Sequence, residues 1–102
     1  MSDYTFHPDA FADLSDIWDF IAQDSVDAAD RVLGEIESAI NMLVTTPYAG
    51  HLRPDLNSRN LRFWLVRSYL IAYAAEKPLL IVGVLHGRRS PTIMANILRD
   101  RR

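Results

Sequence analysis

The residues best suited to chemistry follow an apolar run near the C-terminus. Leu79-Leu80-Ile81-Val82-Gly83 leads into Val84-Leu85-His86-Gly87-Arg88-Arg89, so a histidine is followed within three residues by two arginines. Histidine is the side chain that exchanges protons near neutrality, and arginines neutralise charge that develops on a phosphate. With Arg62 these residues make the outline of an RNA-cleaving site. Such a site needs a base for the 2′-hydroxyl, cations for the phosphorane and an acid for the leaving oxygen. It also needs a strongly basic surface to sit on nucleic acid, yet the chain has one lysine, Lys77. The plainer alternative is a strand end that surfaces, with His86 making structural hydrogen bonds and Arg88-Arg89 keeping an apolar strand soluble. On a strand His86 and Arg88 share a face, while Arg89 lies past Gly87, which can bend the chain. The other histidines, His7 and His51, are scattered without the short spacing of metal ligands. No metal or cofactor is expected.

The charges of the chain are divided between its halves. Residues 1–50 carry ten Asp and Glu against one base, Arg31, a net −9; residues 51–102 carry ten Lys and Arg against Asp55, Glu76 and Asp100, a net +7. This predicts an acidic helical face and a basic sheet face that attract one another, with the basic half also available to a partner. The helical half would repel RNA, so no direct nucleic-acid binding is expected. At 102 residues, 49% of them apolar, the chain suffices for one core and one domain over residues 1–102. The absence of cysteine excludes disulfides and thiolate metal sites and fits a reducing compartment. Met1-Ser2-Asp3-Tyr4 does not read as a signal peptide, and the longest apolar run, Leu79 to Leu85, is too short to span a bilayer. A cytoplasmic protein without membrane attachment is expected.

Periodicity supplies the elements that position these residues. Asp3 to His7 alternates as a short strand, and Pro8 suits the first turn of a helix. Phe11, Leu14, Ile17, Trp18 and Ile21 form the apolar stripe of that helix, with Asp9, Asp13, Asp16 and Asp19 facing solvent. Asp24 or Ser25 caps a second helix with the stripe Val32, Ile36, Ala39, Ile40 and Leu43. It ends near Thr45-Thr46 because Pro47 disfavours helical geometry before it. A loop over Pro47 to Asn60, with a turn at Arg53-Pro54-Asp55-Leu56, precedes two strands, Arg62–Val66 and Tyr69–Ala74, split by Arg67-Ser68. Glu76-Lys77-Pro78 turns into the last strand, Leu79–His86, apolar enough to be central. Ser90 and Pro91 start a short terminal helix. The fold class is α+β: an N-terminal strand, an antiparallel helical hairpin, a three-strand antiparallel meander and a short C-terminal helix. Trp18 and Trp64 read as core more readily than as interface.

These motifs, in this order, resemble the toxins of the RelE/ParE superfamily of type II toxin–antitoxin systems. The likeness rests on Ala12-Asp13-Leu14-Ser15-Asp16-Ile17-Trp18-Asp19-Phe20-Ile21, Pro47-Tyr48-Ala49-Gly50, Asp55-Leu56 before Leu61-Arg62, Tyr69-Leu70-Ile71-Ala72-Tyr73, and Val84 to Arg89. The isoleucine–tryptophan helix and the Leu-His-Gly-Arg-Arg ending look most like ParE. That resemblance implies neutralisation by a cognate ParD-like antitoxin and inhibition of DNA gyrase by binding. The RelE-type alternative is a ribosome-dependent mRNA endoribonuclease, in which His86, Arg88 and Arg62 would be the catalytic set. RelE-type members often carry an arginine where this chain has Leu70, and a late tyrosine or histidine, whereas no tyrosine follows Tyr73. Antitoxins of these systems usually offer a disordered, often acidic segment that folds along the toxin. A basic sheet surface of Arg62, Trp64, Arg67, Tyr73, His86, Arg88 and Arg89 would suit it, aromatic residues anchoring and arginines pairing with carboxylates. Arg62 and Arg67 have the alternative of pairing with the acidic helices.

Overall fold

The computed structural model describes residues 3–57 and 60–101. Residues 1 and 2 of the N-terminus and residues 58 and 59 of the predicted loop lie outside the described residues. The elements are β1 (Tyr4–Phe6), α1 (Pro8–Ala22), α2 (Val26–Thr45), β2 (His51–Leu52), β3 (Leu61–Val66), β4 (Tyr69–Ala74), β5 (Leu79–His86) and α3 (Pro91–Arg99). No helix among them is long and apolar enough to cross a membrane.

Each helix starts where a side chain satisfies a free amide. His7 Nδ1 accepts from Asp9 N at 3.0 Å, with Pro8 in the first turn of α1. Ser25 Oγ, not Asp24, takes the Ala28 amide at 3.1 Å to start α2, and Ser90 Oγ takes that of Ile93 at 3.2 Å to start α3. The β3–β4 hairpin closes through Arg67-Ser68, with Arg67 at φ 54°. A positive φ at the first loop position is the sign pattern of a II′ turn, which matches strand twist and normally favours glycine there.

The meander β3–β4–β5 is antiparallel as expected, but it is the middle of a five-stranded mixed sheet of order β1-β5-β4-β3-β2. Two neighbours escaped the sequence. β1 pairs with β5 in parallel, Tyr4 opposite Leu79 and Phe6 opposite Ile81, a pairing that periodicity within one segment cannot reveal. β2 is a two-residue strand inside the predicted loop, pairing His51 with Phe63. β5 is interior, as its apolar run required. It carries a bulge: Ala72 faces Gly83 and Tyr73 faces Ile81, so Val82 is the extra residue.

The sheet is covered on both faces, which explains why β4 and β5 read as continuous apolar runs rather than alternating ones. On one face Ile71, Tyr73, Ile81 and Val84 pack against Val32, Ile36, Ile40 and Leu43 of α2, with Leu14, Ile17 and Ile21 of α1 beside them. On the other, Leu61, Phe63, Leu70, Val82 and Leu85 pack against Met94 and Leu98 of α3 and against Leu56. Each fully buried side chain of this size contributes on the order of 1.5–3 kcal/mol. Two expectations for α1 are corrected. Phe11 is 65% exposed and leaves the core stripe. Asp13 turns inward, its side chain only 16% exposed.

Candidate partner-binding surface

The end of β5 is organised by His86. Its Nδ1 accepts the Arg88 amide at 3.1 Å and its carbonyl accepts the Arg89 amide at 3.1 Å, so the chain folds tightly around the ring. The ring lies edge-on to Tyr69, its cross-strand neighbour, at 5.4 Å between centroids. Arg88 and Arg89 are exposed, and neither has a carboxylate partner among the described residues. With Nδ1 accepting, the neutral ring carries its proton on Nε2.

Beside this end, α1 and the C-terminal segment close the outer edge of β5. Asp13 Oδ2 accepts the Val84 amide at 3.0 Å, and both guanidinium nitrogens of Arg101 bind the same carboxylate, at 2.5 and 3.1 Å. Arg101 also reaches the Val82 carbonyl at 3.3 Å and lies 3.9 Å from Asp9. A bidentate pair this shielded from water is stronger than an exposed one. Gly83 makes room for it: a Cβ there would stand 2.8 Å from Arg101 Nη1. Sequence reasoning placed Asp13 in solvent and passed over Arg101. The available signal was a glycine inside an otherwise apolar strand, which marks a bulge or a close approach.

The other candidates disperse. Arg67 donates from Nε and Nη2 to Glu35 of α2 at 2.7 and 2.6 Å, the pairing of basic sheet with acidic helix that charge division predicts. Hydrogen bonding and the charge of Arg67 hold the Glu35 carboxyl below its usual 4.5. Arg62 goes to neither helix. Its Nη1 donates to the Gly50 carbonyl at 2.8 Å and the Tyr48 carbonyl at 3.3 Å, and its guanidinium lies 4.9 Å from the exposed Tyr48 ring. Trp64 is half-buried against the helical layer. Tyr73 is corrected outright as a surface anchor, since it is 0% exposed. Its hydroxyl donates to the Pro47 carbonyl at 2.7 Å and accepts the Gly50 amide at 2.9 Å, tying the loop after α2 to the sheet. Burial pushes its phenol pKa above the usual 10, partly offset by that amide and by the Arg62 charge.

Register separates Arg62 from His86. Val66, Tyr69 and His86 lie level across β3, β4 and β5, whereas Arg62 lies level with Tyr73. Four residues along β3 amount to about 13 Å, and two strand spacings add about 10 Å across. His86, Arg88 and Arg62 therefore do not converge on one phosphate. His7 caps α1, His51 lies in β2 and His86 ends β5, and no cluster of three or more metal-ligating side chains forms among the described residues.

One groove borders His86 and Arg89, and a second lies apart from the site residues. The first, of about 510 Å³, runs between α1 and α3 with Val84 and His86 on its floor and Phe20, Ile97 and Arg89 on its walls. The second, of about 400 Å³, is more apolar and is set between β1, α1 and α2, where Phe6, Phe11, Trp18 and Ile40 line it. Trp18 is fixed there by donating to Asp30 at 2.9 Å.

No curated protein matches the sequence closely enough to count as a relative. The family described as ParE toxin of type II toxin-antitoxin system, parDE, matches residues 4–91, from the first residue of β1 to the first of α3. The match takes in the α1–α2 hairpin, the whole sheet and the His86–Arg89 turn, and the chain therefore belongs to the ParE toxin family of type II toxin–antitoxin systems.

Proposed function

We propose that this toxin acts by occupying a protein target, DNA gyrase, and that its antitoxin binds the basic end of β5 and the groove beside it. The observation that carries the reading is the state of His86. Its Nδ1 accepts the Arg88 amide, and Arg62, the further cation a nuclease would need beside it, lies level with Tyr73 instead and donates to loop carbonyls there. General base catalysis needs a free acceptor within hydrogen-bond reach of the proton it removes. Docking needs only exposed charge and apolar relief. Arg88, Arg89, Phe20 at 70% exposure and Leu65 at 60% supply both.

Induced expression in a bacterial host separates the readings. Gyrase poisoning gives growth arrest with altered plasmid supercoiling and intact messages, reversed by co-expression of the antitoxin. Codon-position cleavage of mRNA in a translating extract, lost in His86→Ala or Arg88→Ala, would establish the endoribonuclease instead. Harmless overexpression would point to a relative that only binds its antitoxin.

A further inference from the structure

A second recognition surface lies on the flank of α1 that faces away from His86. Asp13, Ile17 and Phe20 border the groove beside β5. Phe11, Leu14 and Trp18 point roughly 130° away around the helix, at about 100° per residue, and line the groove of about 400 Å³ between β1, α1 and α2. The walls of that groove are aromatic and held in place. Tyr4, Phe6 and Phe11 pack edge to face in a row, with successive ring centroids 5.6 and 6.2 Å apart. The Trp18 indole is fixed by its bond to Asp30 at 2.9 Å. Phe11 is nonetheless 65% exposed, a large apolar ring that the fold leaves uncovered. Among the described residues lining the groove, Glu37 is the one that carries a charge, and it is exposed. The charge of Arg31, the one base in α1 and α2, falls on Glu35 at the side of α2 that meets Arg67.

We propose that this groove receives a basic segment of the target enzyme, with an Arg or Lys side chain lying over the Trp18 and Phe11 rings and reaching the Glu37 carboxylate. Aromatic faces attract a cation, most strongly where water is excluded, and a carboxylate at the rim adds a charge-assisted bond. An acidic occupant would meet repulsion, because the helical layer around the groove exposes Asp9, Asp16, Asp19, Asp27 and Asp30. A two-fold contact with a second copy would set that acidic layer against itself. An enzyme that holds duplex DNA must present cations to its phosphates, so a basic segment is what gyrase offers. The acidic segment expected of the antitoxin finds its cations at Arg88 and Arg89 instead, across α1. The helix is about 10 Å wide, so an occupant of either groove crowds the other and the two partners exclude each other by bulk. The inference rests on the reading of the chain as a gyrase-occupying toxin and adds the surface and the chemistry that meet the target.

Gyrase inhibition and antitoxin affinity, measured on the same full-length toxin variants, test this directly. Glu37→Lys and Phe11→Ala should each raise the toxin concentration for half-inhibition of supercoiling roughly tenfold or more, as loss of a central contact does. Each should leave antitoxin affinity within about threefold of the wild type, and Glu37→Asp, which keeps the charge, should inhibit nearly as well. Both residues are exposed, so the variants keep their fold by circular dichroism. Variants that inhibit as well as the wild type overturn the inference while sparing the reading of the toxin as a gyrase inhibitor. So does a matching loss of antitoxin binding, which would give the groove to the antitoxin. A change of toxin mass in sedimentation overturns it too, by giving the groove to a second copy. A wild-type toxin that leaves supercoiling undisturbed overturns both.

Discussion

Tyr73→Phe removes one oxygen and little else. That oxygen joins the Gly50 amide, at 2.9 Å, to the Pro47 carbonyl, at 2.7 Å, from a side chain that is 0% exposed. The ring stays, so the apolar packing against α2 stays, and the cost is that of the unsatisfied groups. Gly50 is buried, and its amide without a partner costs about 1–3 kcal/mol. Pro47 is half-buried, so its carbonyl can turn to water at smaller cost. The expected destabilisation is thus about 1–3 kcal/mol, or roughly 4–8 °C in Tm for each kcal/mol in a domain of this size. Urea unfolding followed by the fluorescence of Trp18 and Trp64 reads it, with the midpoint shifting and the slope unchanged. The same variant should bind antitoxin normally once folded. A loss below about 0.3 kcal/mol would refute the tie between loop and sheet. Weakened antitoxin binding at unchanged stability would restore Tyr73 to the partner surface.

Three further outcomes follow from the same contacts. Asp13→Asn can still accept the Val84 amide but leaves Arg101 without a counter-charge. Because the two side chains are 16% and 13% exposed, the expected cost by urea unfolding is about 1–3 kcal/mol, below the figure for a fully buried pair. Gly83→Ala puts a Cβ 2.8 Å from Arg101 Nη1 and 3.2 Å from Leu98 Cδ2, so it should lower Tm, and far less so in an Arg101→Ala background. The Glu35 carboxyl is held below its usual value by Arg67, so its pairing adds stability that is complete above pH 4.5 and fades as pH falls through the lowered value. Glu35→Gln should therefore flatten the acid limb of the stability profile. That difference should shrink in high salt, since both partners are exposed.

Local signals told most of the fold. Pro8, Ser25, Pro47, Ser90 and Pro91 punctuate the helices because their effects act within one turn. The paired strands around Arg67-Ser68 were legible despite an arginine, not a glycine, at positive φ. What failed was long-range. The parallel pairing of β1 with β5 joins residues some 75 positions apart, and nothing within either segment encodes the partner. Asp13 fits an acidic helical face by spacing, yet it is drawn inward by a backbone amide of β5 and by Arg101, 88 residues later. Tyr73 was misplaced for a related reason. Aromatic alternation on β4 does not tell a surface anchor from a core ring whose hydroxyl holds a distant loop. Among the site residues, the His86–Arg89 run was legible because its chemistry is contiguous, while the groove beside it needs α1, α3 and β5 together.

The central claim is that the toxin acts by occupying gyrase. Purified toxin titrated into a supercoiling reaction with gyrase, ATP and relaxed plasmid tests it most directly. Supercoiling should fall as toxin rises through the micromolar range and should recover when the antitoxin is added in equal amount. Undisturbed supercoiling at micromolar toxin, from protein that still binds its antitoxin, would contradict the account.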